Sequence, residues 1–488
     1  MGLGGKTARG AAINIVAILA RQGIQFLIVL PILARLLGPE AFGLIAMAMT
    51  LVAFLTLFND VGLSTALVRA DAPSDRLWSS AFWINAGMGV AMGAVALLSA
   101  PWLAAFYARP EVAPLAQAMA VVMVLHAMTL APIAWLQREY RFTQIAMIDI
   151  ASAIGSAAVA IAMGLAGFGV WALVGQQIAV PMIKLAGALA LSKAPLGAGF
   201  DWAGIRAILP FSLHLTGSSI VGYLNRQADN LLVGRYLGAE WLGFYGRAYQ
   251  IKQLPVQTLS QGANFALYPA MASVKHDLPR LGRMYLRLLA LIGLVTIPLM
   301  AGLASVAEPF VRVLLGPRWT EMAPTLAFLC LAGGVQAING TAQVLWKALG
   351  EAHRLMQWAL IRLGFFLPAF AFGVWMGSTA WLAGAYLAAQ VVLFLPYHAQ
   401  VQRRLGQSLG DVLRVLTPAT VASAVMVTAV IGADRGFEMA TLAPVLRLGL
   451  LVGLGLAVFA LVMATLFRAQ LMDSLRELRH LRRQRGEG

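Results

Sequence analysis

Eight ionisable residues stand inside long apolar runs of this chain: Arg21, Asp60, Asp149, Arg226, Asp229, Arg247, Lys252 and Arg362. A full charge at the centre of a bilayer costs roughly 2.5–3.5 kcal/mol on insertion scales, so such residues face one another, a protein interior or a water-filled cavity. Their spacing sorts them. Arg226 and Asp229 are three apart and share a helix face. Counted at about 1.5 Å per residue, Arg247 enters from the outer side to nearly the depth of Asp229. Lys252 reaches nearly the depth of Arg226. Three cations beside one carboxylate leave positive charge in excess, which suits a cavity that attracts an anionic ligand. Arg21 and Asp60 lie at matching depths on neighbouring antiparallel runs and can pair. That pair is either a neutralised structural contact or a substrate contact. Asp149 and Arg362 sit only six or seven residues inside their runs. There a side chain can reach the surface, and both read as structural.

Catalytic patterns are absent. The histidines (His126, His214, His276, His353, His398, His480) are scattered without metal-ligand spacing. Cys330 is the only cysteine, which excludes an internal disulfide and a cysteine metal cluster. There is no Asp-x-Asp pair for metal-bound sugar nucleotides. The glycines at Gly449–Gly455 lie in an apolar stretch, where close helix packing explains them better than phosphate binding. Neither a catalytic residue, a metal nor a cofactor is expected.

The elements that hold these charges are membrane-spanning helices. Hydrophobic residues make up 60% of the chain and charged residues 11%, against roughly 25% charged in soluble domains. Apolar runs of about 20 residues read as spans. They cover about 11–36, 42–68, 78–105, 113–137, 143–166, 169–191, 207–236, 241–269, 284–306, 324–347, 355–377, 379–401, 412–432 and 443–467, fourteen in all. The run 241–269 is the least apolar, since Arg247, Gln250, Lys252, Gln253 and Pro255 fall within it. The first run contains Arg21 and Pro31 and has no small-residue cleavage site, so it reads as a span and not as a signal peptide.

The net charge of +16 does not imply nucleic acid. With both termini placed in the cytoplasm, 24 Lys and Arg fall on that side, 7 outside and 5 within spans, which accounts for all 36. Such asymmetry orients a membrane protein. The segment Glu308–Met322 can form a short amphipathic interfacial helix. In the tail, 468–488, leucines at near-helical spacing among arginines suit a helix on the anionic inner leaflet.

Arg35–Gly43, RLLGPEAFG, recurs as RYLGAEWLG at Arg235–Gly243, with five of nine positions identical. The second copy follows six spans, an even number, so both copies share one orientation and a pseudo-two-fold axis along the membrane normal. The expected fold is an all-α polytopic membrane protein with about fourteen transmembrane helices. Two six-helix pseudo-symmetric lobes span 1–200 and 201–405. Two extra C-terminal helices lie in 406–467, and the basic cytoplasmic tail is 468–488.

Four segments carry a resemblance: ARLLGPEAFG at Ala34–Gly43, NDVGLSTALVR at Asn59–Arg69, ADNLLVGRYLG at Ala228–Gly238 and LLGPRWTEMAP at Leu314–Pro324. In order and spacing the whole chain resembles the polysaccharide transporter family, the Wzx-type flippases of the multidrug/oligosaccharidyl-lipid/polysaccharide superfamily. The resemblance implies a V-shaped two-lobe fold, alternating access and a cargo of oligosaccharide joined through diphosphate to a polyprenol. It implies the bacterial inner membrane, with membrane lipids and the polysaccharide polymerase and chain-length regulator as partners. On that reading Arg21, Arg226, Arg247 and Lys252 hold phosphate or acidic sugar. Asp60 and Asp229 serve as gating pairs or couple transport to H+ or Na+. Two other classes remain open. An ion-coupled exporter of cationic drugs would want an acidic cavity. A glycan ligase or polymerase would want a sizeable outer loop with catalytic residues.

Overall fold

The computed structural model describes residues 21–59, 63–69, 73–197, 199–206, 223, 227–436 and 442–467. Among these it is helical, without strands. Eleven helices among the described residues are long and apolar enough to cross a membrane. The expected run over 207–236 lies mostly outside the described residues, with helix seen again at 227–236. The chain divides into two compact units, Met1–Gly243 and Phe244–Gly488.

The first unit contains α1 (Leu30–Thr56), α2 (Leu63–Arg69), α3 (Asp75–Tyr107), α4 (Val112–Ala118), α5 (Ala120–Arg138), α6 (Phe142–Leu165) and α7 (Trp171–Ser192). A π-turn at Gln25–Val29 precedes α1. Helices α3 and α5 pack together, as do α6 and α7, and α5 and α7. Polar side chains tie helix ends. Arg138 donates to the Leu67 and Val68 carbonyls at the end of α2, at 3.2 and 3.3 Å. Those C-terminal carbonyls have no partner within their own helix. Ser74 caps α3 by accepting from the Leu77 amide.

α1 is not one rod. Gly38 has φ 71° and interrupts it, so the expected boundary between the first two runs is a helix break. Gly238, two hundred residues on, has φ 94° and precedes α8 (Ala239–Ser273). A residue with a Cβ is strained at such a φ. The repeated sequence therefore encodes a helix end, a left-handed glycine and a helix start. Glu40 and Glu240 sit in the first turn of the new helix, where a carboxylate is favoured by the helix dipole. The two copies are also alike in burial: residues 35, 36 and 40 are exposed, 39, 42 and 43 buried, and so are their +200 counterparts.

The second unit holds α8 beyond Gly243, then α9 (Leu278–Ser305), α10 (Ala307–Leu314), α11 (Ala323–Leu349), α12 (Ala352–Trp375), α13 (Thr379–Leu405), α14 (Leu409–Gly436) and α15 (Pro444–Leu466). α11 packs on α9 and α13, α12 on α13, and α14 on α9 and α15. The core between them includes Tyr285, Leu289, Trp346, Tyr397 and Leu405. Outward faces carry large apolar side chains such as Trp375, Val392 and Leu456, a surface suited to lipid. The expected interfacial element is α10 followed by a 3-10 helix, Pro317–Met322. Arg447 of α15 fixes it, bonding Glu308 at 2.7 Å and Asp434 of α14 at 2.8 Å.

Candidate substrate-translocation site

α8 begins among apolar residues and continues through Pro255 and Pro269 without ending. Its Lys252 is fully buried. The ammonium donates to Gln336 Oε1 of α11 at 3.0 Å. It stands 4.0 Å from the ring centroid of Tyr249 and 6.0 Å from that of Tyr386 on α13. Aromatic faces attract a cation, more strongly when water is excluded. Gly333 leaves the space for the lysine stem, since a Cβ there would lie 2.8 Å from Lys252 Cγ. One turn toward the start of α8, Arg247 donates to Gln250 Oε1 at 2.5 Å.

A second polar chain crosses the same unit. Asn339 Nδ2 donates to Gln390 Oε1 at 3.4 Å, which leaves Asn339 Oδ1 as an acceptor. His398 Nε2 donates to that oxygen at 3.2 Å. Its Nδ1 then accepts from the Tyr285 hydroxyl at 3.0 Å. Gln390 Nε2 donates on to the Tyr386 hydroxyl at 2.8 Å. The imidazole is thereby a neutral relay between a phenol and an amide. Such a network is expensive to leave half-made in a low-dielectric interior.

The carboxylates of this unit lie elsewhere. Among the described residues beyond Gly243 they are Asp277, Glu308, Glu321, Glu351, Asp411 and Asp434, each at or near a helix end or in a connection. Cations, by contrast, also lie inside its helices, among them Arg247, Lys252 and Arg362, the last 4.6 Å from the centroid of Tyr397. No group of three or more His, Cys, Asp or Glu with metal-binding geometry occurs among the described residues.

In the first unit Arg21 is exposed. Asp229 is buried, and its Oδ1 accepts from the Asn230 amide at 2.8 Å. Asp149, read as structural for its shallow position, forms an ion pair with Lys184 of α7. Asp60 and Arg226 lie outside the described residues.

Residues 32–324 match the family described as "Polysaccharide biosynthesis protein". The succinoglycan biosynthesis transport protein ExoT of Rhizobium meliloti is 30% identical over 73% of this chain and 72% of its own length. The chain belongs to the polysaccharide biosynthesis protein family. WzxC of Escherichia coli, a lipopolysaccharide biosynthesis protein, is 25% identical over 84% of this family member and 83% of its own length. TuaB of Bacillus subtilis, a teichuronic acid biosynthesis protein, is 29% identical over 70% of this chain and 71% of its own. Among solved structures, the lipid II flippase MurJ in an inward closed conformation superposes with a TM-score of 0.74 at 13% identity. It covers 94% of this chain and 100% of MurJ. An inward-facing multidrug MATE transporter gives 0.60 at 13% identity, over 80% of this chain and 99% of its own. The chain thus shares its fold with these two structures.

Sequence reasoning passed over the polar interior of the second unit. Tyr386, Gln390 and His398 recur at helical spacing along α13, and Gln336, Gln343 and Lys347 along α11. A polar stripe on an otherwise apolar helix is a readable signal of an inward face.

Proposed function

We propose that this polysaccharide biosynthesis protein is a flippase. It moves polyprenyl-diphosphate-linked oligosaccharide repeat units from the cytoplasmic to the periplasmic leaflet for exopolysaccharide or O-antigen assembly, by alternating access. It is a transporter and not an enzyme. The observation that carries this reading is the charge of the second unit's interior. Arg247, Lys252 and Arg362 lie within its helices, and its described carboxylates keep to helix ends. Such a field favours a diphosphate or acidic sugar and disfavours a cationic drug.

In this reading Arg21, Arg226, Arg247 and Lys252 bind the anionic part of the cargo. Asp60 and Asp229 close the gates by bridging cations, and substrate phosphate competes for the same cations. Both termini lie in the cytoplasm and the membrane is the bacterial inner membrane. A polysaccharide polymerase and a chain-length regulator receive the product. The repeat relates two six-helix lobes by a rotation near 180°.

The test is reconstitution of the full chain into liposomes with a fluorescent polyprenyl-diphosphate disaccharide in the outer leaflet. Protein-dependent loss of accessibility to a membrane-impermeant quencher supports the flippase. The same rate with and without protein overturns it. Uptake of an organic cation in its place favours the drug exporter.

A further inference from the structure

A cavity of about 150 Å³ opens in the second unit between α8, α9 and α11. Its polar lining is Gln253, Gln257, Gln336, Thr341, Gln343 and Lys347. Four of these are carboxamides and none is a carboxylate. Gln257 and Lys347 are exposed and mark the mouth. Deeper in, Gln336 is anchored by Lys252, and Gln253 Oε1 is buried without a hydrogen-bond partner. A buried acceptor left unpaired costs roughly 1–3 kcal/mol, so a donor from a ligand or water is called for there.

Each candidate occupant makes a different demand. A divalent cation wants carboxylate oxygens, and the cavity has none. An aromatic cation wants rings or acids, and none line it. A lipid chain wants an apolar wall, and six of the eleven lining residues are polar. A sugar ring carries alternating donors and acceptors, and a carboxamide offers both from one side chain. A cavity near 150 Å³ accepts one six-membered ring of benzene size, which is enough for a pyranose ring whose outer substituents extend through the mouth. Lys347 adds a cation at the mouth.

We propose that this amide-lined cavity is a glycan subsite that seats a single sugar residue of the cargo and reads an acidic substituent with Lys347. The inference rests on the flippase reading and specifies which part of the cargo lies where. Gln253 and Gln257 on α8 and Gln336 and Gln343 on α11 hold the ring hydroxyls. In the topology proposed above, Lys347 ends α11 on the cytoplasmic side, so the sugar is engaged as the cargo is loaded.

The experiment measures binding of three probes to the full chain purified in detergent: a polyprenyl diphosphate alone, the same lipid carrying glucose, and the same lipid carrying glucuronate. Affinity should rise at each step, the last by about tenfold, the size of one charge-assisted hydrogen bond. Lys347→Gln, at an exposed position, should abolish the step from glucose to glucuronate and keep the others. Gln257→Leu with Gln343→Leu should abolish the sugar increment and leave binding of the bare lipid diphosphate unchanged. Equal binding of all three probes by the wild-type chain overturns the subsite and leaves the flippase reading standing. Failure of all three to bind overturns both. A glucuronate step that survives Lys347→Gln removes that lysine as the reader.

Discussion

At the scale of single residues, stability and transport should come apart at Lys252. Its charge is fully buried, with the Gln336 amide and two aromatic rings among its partners. Burying a charge costs solvation, and replacing buried ionic groups by apolar ones of similar volume is often neutral or stabilising. Gln336 borders a cavity, so water can take the vacated hydrogen bond. Lys252→Met should therefore melt within about 1 kcal/mol of wild type or above it, while flipping in liposomes falls at least tenfold. Equal flipping by the variant would show that transport does not need the lysine. His398 should behave in the opposite way. It joins Tyr285 to Asn339, and both partners are buried. His398→Phe leaves a phenol and an amide oxygen short of partners, at roughly 2–4 kcal/mol in total. A clear fall in Tm in detergent is the expected reading, with Asn339→Leu in addition restoring part of it.

At the scale of elements, the repeated nonapeptide is a contact as well as a turn. Inside the first unit, a Cβ built on Gly43 would fall on the Ala239 carbonyl, and one built on Gly243 would fall on the Pro39 carbonyl. These are +200 counterparts, so the contact is reciprocal, as an isologous contact is. The two glycines are needed because backbone approaches backbone there, and a helix start cannot retreat as a side-chain tip can. Gly43→Val and Gly243→Val should each lower stability by about 1–3 kcal/mol through overpacking. The pair should cost less than the sum, because one contact cannot be lost twice. Thermal melting of the two single variants and the double variant checks this, and strict additivity would show two independent sites.

For the whole molecule, the distribution of basic residues sets the orientation to be tested. A periplasm-active phosphatase fused after Gly488 should be inactive, and one fused at Arg109, within the Ala108–Glu111 connection, should be active. The reverse result would invert the loading side and place Lys347 at the wrong face for uptake.

Composition and hydropathy determined the class, the helix boundaries and the orientation proposed here. A lipid-crossing segment must be helical and apolar over its own length, so each span is written locally. Hence α3, α6, α7 and α11 to α15 begin and end within a few residues of the runs read from the chain. The motif around Gly38 and Gly238 was legible as a repeat, because a left-handed turn accepts little besides glycine. Its partner was not, since the approach of Gly43 to Ala239 joins positions about two hundred residues apart. Charge inside the membrane was also legible, because its rarity is a property of composition. What a buried charge touches is not. Only the tertiary structure put Lys252 against Gln336 and two tyrosine rings, made His398 a relay, and gathered four glutamines around one cavity. Carboxamides carry no charge and cost little to scatter through a sequence. Their meaning arises when separate helices turn them toward the same space.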